Sequence, residues 1–160
     1  MKLPAIIVAA LFRRLKRIAD KREPDIFIGG RQNTYLRRWY VIPRNRWFNI
    51  YLHRFLRSDD DRALHDHPWV NLSVLLHGEY TEVIPTIGGT TTSRILRAGN
   101  LALRGPKSAH RVHLHAGKCW TLFITGPRVR DWGFWCPQGW RHNQEFTAGP
   151  KGENIGKGCE

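Results

Sequence analysis

Acidic residues are scarce, 13 Asp and Glu against 26 Lys and Arg, so the 160-residue chain carries a formal charge of +13. Cysteine is nearly missing: Cys119, Cys136 and Cys159 are odd in number and form no Cys-x-x-Cys pair. That usage excludes a disulfide-dense scaffold and a thiolate zinc clip, and it predicts free thiols in a reducing cytoplasm. Long apolar runs are lacking too. The longest, Leu3 to Phe12, is about half of the ~20 residues that a membrane-spanning helix needs. Arg13-Arg14 and Lys16-Arg17 follow it where a signal-peptide cleavage site should lie, so a secretory leader fits badly. No internal repeat is present. What the chain does have is 41% hydrophobic residues and seven Trp, enough to build a core and to exclude wholesale disorder.

The charge is unevenly placed. Residues 1–57 hold 14 Lys and Arg with only Asp20, Glu23 and Asp25 against them, whereas residues 58–160 hold 12 basic and 10 acidic residues. A local excess of this kind favours polyanions, acidic surfaces or acidic partners. Arg31, Arg37, Arg38, Arg44 and Arg46 are interleaved with Tyr35, Trp39, Tyr40 and Trp47, a texture that suits nucleic acid as well as a β-rich dimer arm.

Segment 5–19 places Val8, Leu11, Phe12, Leu15 and Ile18 at helical spacing with arginines elsewhere on the wheel, which predicts one amphipathic basic helix. Such a helix could lie on an anionic membrane surface, but its short apolar stripe favours covering an open end of the barrel or pairing with another copy. Pro24 and Gly29-Gly30 then break regularity, and from Tyr35 the texture turns to β. Residues 47–56, 71–84, 94–104, 110–115 and 120–125 read as strands separated by Gly and Pro turns. Short strands at regular spacing with no helix between them indicate an all-β sandwich or barrel. The expected organisation is a basic helix and arm over 1–46, a barrel over 47–148 and a disordered tail over 149–160.

Chemistry is carried by histidine. His65 and His67 are two apart, so in a strand both project from one face and can give two cis ligands to one ion. Trp69, Asn71 and Ser73 share that parity. A third ligand must come from a distant strand, and His110, His113 and His115 form the pool. His110 shares parity with Val112 and Leu114, so it looks inward while His113 and His115 look out; a bulge would make His113 the ligand instead. Imidazole suits iron, zinc, copper or nickel and does not choose among them.

These placements resemble the two motifs of the cupin superfamily, the small jelly-roll barrels. The first motif, G-x5-H-x-H-x(3,4)-E-x6-G, is met by His65-Asp66-His67 and by Gly78 as its closing glycine. Asn71 stands at the glutamate position and Asp59 at the opening glycine. The second motif, G-x5-P-x-G-x2-H-x3-N, is met by Gly99 and His110, with Gly105-Pro106 one residue out of step and Leu114 for the final asparagine. The resemblance spans roughly residues 47–136. The blocks YLHRFLRSDDDRALHDHPW and TLFITGPRVRDWGFWCP also look like those of cupin-type proteins of phages and bacteria, which implies a bacterial cell or a phage-infected host.

The resemblance implies an all-β cupin-type jelly-roll β-barrel and a three-His site of His65, His67 and His110 without an acidic ligand. A divalent ion there keeps its full charge and attracts anions. Three-His cupins include thiol dioxygenases and diketone-cleaving enzymes, so the implied function is an Fe(II)-dependent dioxygenase acting on a small anionic molecule, with Zn, Ni, Mn or Cu as other metals. Cupins also include metal-dependent sugar isomerases and epimerases and non-catalytic binding proteins, the last here docking nucleic acid or a protein assembly through residues 1–57. A homodimer is the expected assembly. Tyr51, if it shares the inner face with His53, would supply a proton or anchor a substrate oxygen, and Arg104, with Arg111, would clamp a carboxylate. Asp59-Asp60-Asp61 lacks the spacing of a calcium loop and reads as a solvated turn.

Overall fold

The structure, a computed structural model, describes residues 1–59, 63–115, 117–149 and 154–160. Asp60 and Asp61 of the acidic turn lie outside them. Helix α1 (Ala5–Lys21) is followed by β1 (Ile26–Ile28), β2 (Leu36–Tyr40), β3 (Asn49–Phe55), β4 (Leu64–His65), β5 (Asn71–His77), β6 (Glu79–Pro85) and β7 (Thr91–Arg97). Then come β8 (Leu101–Arg104), β9 (Arg111–Leu114), β10 (Cys119–Thr125), β11 (Gly133–Cys136), β12 (Gly139–His142), the short α2 (Asn143–Phe146), β13 (Thr147–Ala148) and β14 (Asn154–Ile155).

Two antiparallel faces enclose the interior. One is the sheet β1-β2-β3-β10-β5-β8, and the other comprises β7-β6-β9 and β12-β11-β4. An antiparallel bridge between His65 and His110 joins β4 to the entrance of β9, linking those two parts. The period-two pattern of the strands sorts their side chains: Leu36, Phe55, Leu75, Tyr80, Leu96, Val112 and Leu114 pack between the faces. β1 and β2, counted with the basic arm in the sequence reading, pair in register with the barrel strands, Arg38 opposite His53 and Tyr40 opposite Tyr51. Gly78 turns β5 into β6 at φ +78, and a Cβ there would come within 2.6 Å of the Lys118 carbonyl, so this turn demands glycine.

Helix α1 lies across the outer side of the six-stranded sheet rather than at an open end. Leu15 is buried, and Leu11, Phe12 and Ile18 pack with it on Trp39, Leu52, Trp120 and Leu122. Phe12 stacks on His77 at 5.3 Å between ring centroids. Because this packing rather than intrinsic propensity holds the helix, Leu15→Ala is expected to cost about 2 kcal/mol, the low end for a leucine truncation. Urea unfolding followed by far-ultraviolet dichroism measures it; an unchanged midpoint would mean the helix does not stabilise the sheet.

The cysteine reading needs correction. Cys136 and Cys159 form a disulfide, and only Cys119 is a free, buried thiol. Burial pushes the Cys119 thiol up to about 12. The bridged pair stands 23 positions apart, and the sequence does not reveal that the chain returns. It does so through β13 paired with β14, after which Gly158 N–H donates to the Phe146 carbonyl at 3.0 Å. Arg141 donates to the carbonyls of Gly158 and Glu160. Residues 154–160 are therefore placed against α2 and β12 instead of forming a loose tail, and the cysteine argument for a reducing compartment falls with the free thiols. No helix among the described residues is long and apolar enough to cross a membrane.

Candidate metal centre

Three imidazoles converge where the two faces meet. His65 ends β4, His67 follows two residues on, and His110 enters β9 opposite His65. Ring centroids are 5.1 Å apart for His65–His67, 4.8 Å for His65–His110 and 5.2 Å for His67–His110. One ligand atom from each lies within 4.8 Å of the others. His67 Nε2 and His110 Nε2 are 3.0 Å apart. Two imidazole nitrogens bound at right angles, each ~2.1 Å from one ion, would be about 3.0 Å apart, so the donor set fits a divalent transition metal.

His110 is oriented from behind. Its Nδ1 lies 2.8 Å from Oε1 of Glu82, a fully buried carboxylate on β6. An ionised carboxylate only accepts, so the imidazole proton sits on Nδ1 and Nε2 is left as the lone-pair donor toward His67. Glu82 also receives Arg104 Nε at 2.6 Å and Arg94 Nε at 2.8 Å. Burial alone would push the Glu82 carboxyl up, but the His110 hydrogen bond and the Arg104 charge outweigh it and hold the group well below the usual carboxylate range.

Desolvation, opposed by the Glu82 hydrogen bond, pushes His110 down to about 3. His67 is also well below its ordinary value, chiefly through desolvation and then the neighbouring rings. Neutral rings are the form a metal requires. His53 is depressed by burial and by the Arg38 charge. A histidine kept neutral in the fold but free to protonate when unfolded costs stability only below the unfolded value near 6.5. Between there and about pH 3 for His110, each such ring removes roughly 1.4 kcal/mol per pH unit. Glu82 acts in the same direction, its contribution present above the ordinary carboxylate range and lost on acidification. Metal-free protein should therefore hold constant stability between about pH 7 and 8 and lose it below about pH 6, with a slope approaching three protons from His53, His67 and His110. Urea midpoints across this range test it; a flat profile down to pH 4 would contradict the buried neutral rings.

Other expected residues sit elsewhere. Arg104 is buried, its guanidinium engaged by Glu82, by Ser73 Oγ at 3.0 Å and by Asn71 Oδ1 at 3.4 Å. It stands behind His110 and does not line the cavity described below. Asn71 thus faces Arg104. Tyr51 shares the inner face with His53, as parity predicts, and lies under the Arg38 guanidinium at 4.8 Å from its ring centroid. His113 faces outward on β9 at the parity of Arg111, and His115, just past the end of the strand, is exposed. Trp140 Nε1 donates to the buried Asp66 at 3.0 Å, while Trp135 is exposed. Sequence reasoning missed Glu82. Its signal was an acid at the same parity as the buried Tyr80, a position that only a paired charge can occupy.

A cavity of about 940 Å³ opens beside the rings. His65, His67, Arg38, Trp69, Trp132 and Phe134 contribute to its wall, with β1 and the disulfide-held segment 156–160 at its rim.

No protein-family model and no curated protein matches the chain. Solved structures do. DMSP lyase DddQ from Ruegeria pomeroyi superposes with a TM-score of 0.55 at 14% identity, covering 79% of this chain and 76% of that one. A cupin superfamily protein from Desulfitobacterium hafniense gives 0.47 at 14% identity over 57% and 77% of the two chains. Fe(II)-HppE with an alternative substrate gives 0.49 at 13% identity over 66% and 60%. The chain has an all-β jelly-roll fold similar to that of DddQ, as expected from the cupin-like motifs, and within it a three-His group that could hold a metal ion.

Proposed function

We propose that this protein is a mononuclear metalloenzyme in which His65, His67 and His110 hold one Fe(II) ion, and that it acts as a dioxygenase on a small anionic molecule. The observation that carries this reading is the 3.0 Å approach of two imidazole Nε2 atoms, one fixed in tautomer by Glu82, beside a cavity large enough for a substrate. Bound there, the ion would keep its +2 charge on three neutral ligands and supply open positions for a substrate heteroatom and O₂. The protein's part is positional. Glu82 keeps the proton on His110 Nδ1, Arg104 holds Glu82 ionised, and Trp69, Trp132 and Phe134 give the cavity an apolar wall that limits water. On this reading Arg104 is a positioning residue acting through Glu82, and Tyr51 acts through Arg38.

The basic first third supports nucleic-acid binding less well. Its arginines stack on aromatic rings of the same region, Arg31 on Phe27, Arg44 on Tyr40 and Arg46 on Trp47, so the interleaving is accounted for inside the fold.

The test is anaerobic loading of untagged protein with Fe(II), followed by metal analysis and oxygen-electrode assays with small organic acids. One ion per chain and substrate-dependent oxygen uptake are expected. A chain that takes up no Fe(II) contradicts the metalloenzyme reading, and turnover without oxygen consumption replaces the dioxygenase with an isomerase.

A further inference from the structure

Among the charged residues lining the cavity, one is poorly accounted for by its neighbours. Asp25 is held by Arg22, whose Nη1 donates to both carboxylate oxygens at 2.7 Å, and it accepts Tyr40 N–H at 2.7 Å. Arg31 lies over the Phe27 ring at 4.3 Å. Lys157 and Glu160 belong to the C-terminal segment at the rim. Arg38 differs from these. It sits in the middle of β2 on the inner face, and it has no carboxylate partner among the described residues. Its Nε donates to His53 Nε2 at 2.9 Å and its plane rests on Tyr51.

We propose that Arg38 is the anion-binding residue of this cavity and that its ligand is the carboxylate of a small organic acid with an apolar body. This deepens the metalloenzyme reading by naming the substrate class, but the carboxylate site stands on Arg38 whether or not the three histidines bind metal.

The geometry selects the ligand class. With Nε committed to His53, the guanidinium offers its two terminal nitrogens, whose parallel N–H bonds match the two oxygens of a carboxylate end-on. Tyr51 below and His53 beside it hold the plane, so little side-chain freedom is lost when the pair forms. Burial disfavours the lone positive charge, as the lowered basicity of Arg38 records, and an incoming anion relieves that cost. The rest of the wall offers Trp69, Trp132, Phe134 and Phe146, which suit an apolar body better than a polyhydroxylated one. Arg38, His65 and His67 line the same cavity, so an acid held on Arg38 lies in the same space as the proposed metal ligands.

The probes are 3-phenylpropionate, its uncharged amide and inorganic phosphate, titrated into metal-free protein by calorimetry, with Co(II) uptake read separately from its visible bands. The expected result is binding of 3-phenylpropionate, at least tenfold weaker binding of the amide and of phosphate, and at least tenfold loss in Arg38→Met. Co(II) uptake by that variant should be unchanged. Because Arg38→Met leaves His53 without its donor, Arg38→Lys serves as a second variant. It keeps charge without the two-pronged edge and should bind the acid more weakly than wild type. The wild-type Arg38 Nε–H resonance should shift on titration with the acid. Equal binding of acid and amide, tighter binding of phosphate, or undiminished binding by both variants overturns the assignment. Carboxylate binding without Co(II) uptake would defeat the metal reading and leave this one standing.

Discussion

Replacing Glu82 with Gln is expected to lower the unfolding free energy by about 3–5 kcal/mol, the range for removing one partner of a buried ion pair. Glu82 is completely buried and takes charge-assisted hydrogen bonds from Arg94, Arg104 and His110. The amide keeps the shape but removes the charge. Arg104, itself buried, then keeps a positive charge with no counter-charge beside it. The amide NH₂ must also point at a donor: at Arg94 if the amide oxygen keeps the Oε1 place that serves both Arg104 and His110, or at those two groups if the amide is turned over. Against a typical total stability of about 5–15 kcal/mol, this leaves the fold marginal. The same change loosens the His110 tautomer and should weaken metal binding by about 10–100-fold. Urea unfolding at pH 7 and a metal titration on the folded fraction read the two effects. A loss under 1 kcal/mol would mean that Glu82 and Arg104 are not the coupled pair their geometry indicates.

His67→Ala should separate binding from folding. Unlike Glu82, His67 lines the cavity, and its hydrogen-bond contact is with another proposed ligand. Removing it opens the cavity further but leaves no buried charge unpaired, so the unfolding free energy should change by about 1 kcal/mol or less. Removing one of three ligands should lower transition-metal affinity by at least about 100-fold, since even partners of the ligands are worth 10–100-fold. His113→Ala is the control. That side chain faces outward near Ser58, with Nδ1 3.3 Å from Oγ, and its loss should leave affinity unchanged. Equal effects of the two substitutions would place the ion elsewhere.

Much of the site was legible because strand parity is a strong local rule. His65-x-His67 and the inward face shared by His110, Val112 and Leu114 follow from period two alone, and the structure brings the three rings together. Likewise, apolar spacing over 5–19 indicated α1. Residues 71–84, read as one strand, are two, because Gly78 turns β5 into β6. The failures are long-range. Nothing local links Cys136 to Cys159, because the link depends on the path of the last twenty residues. Arg104 was expected to clamp a carboxylate of a ligand, because the carboxylate it does hold, Glu82, lies twenty-two positions away on another strand. Arg38 was read as one of many basic arm residues. Its distinct environment arises only when β2 joins the sheet and turns that side chain inward opposite His53. Sequence patterns show which face a residue takes, but not which partner waits there.

The measurement that bears most directly on the account is anomalous diffraction from crystals of protein loaded with Fe(II) or Co(II). The account predicts one peak, within about 2.0–2.2 Å of one imidazole nitrogen from each of His65, His67 and His110, with Glu82 still on His110 Nδ1. The 3.0 Å contact between His67 and His110 can also be a hydrogen bond, with His67 Nε2–H donating to the His110 lone pair. If saturating metal gives no peak among the three rings, that hydrogen bond is the whole meaning of the cluster, and the metalloenzyme proposal is wrong.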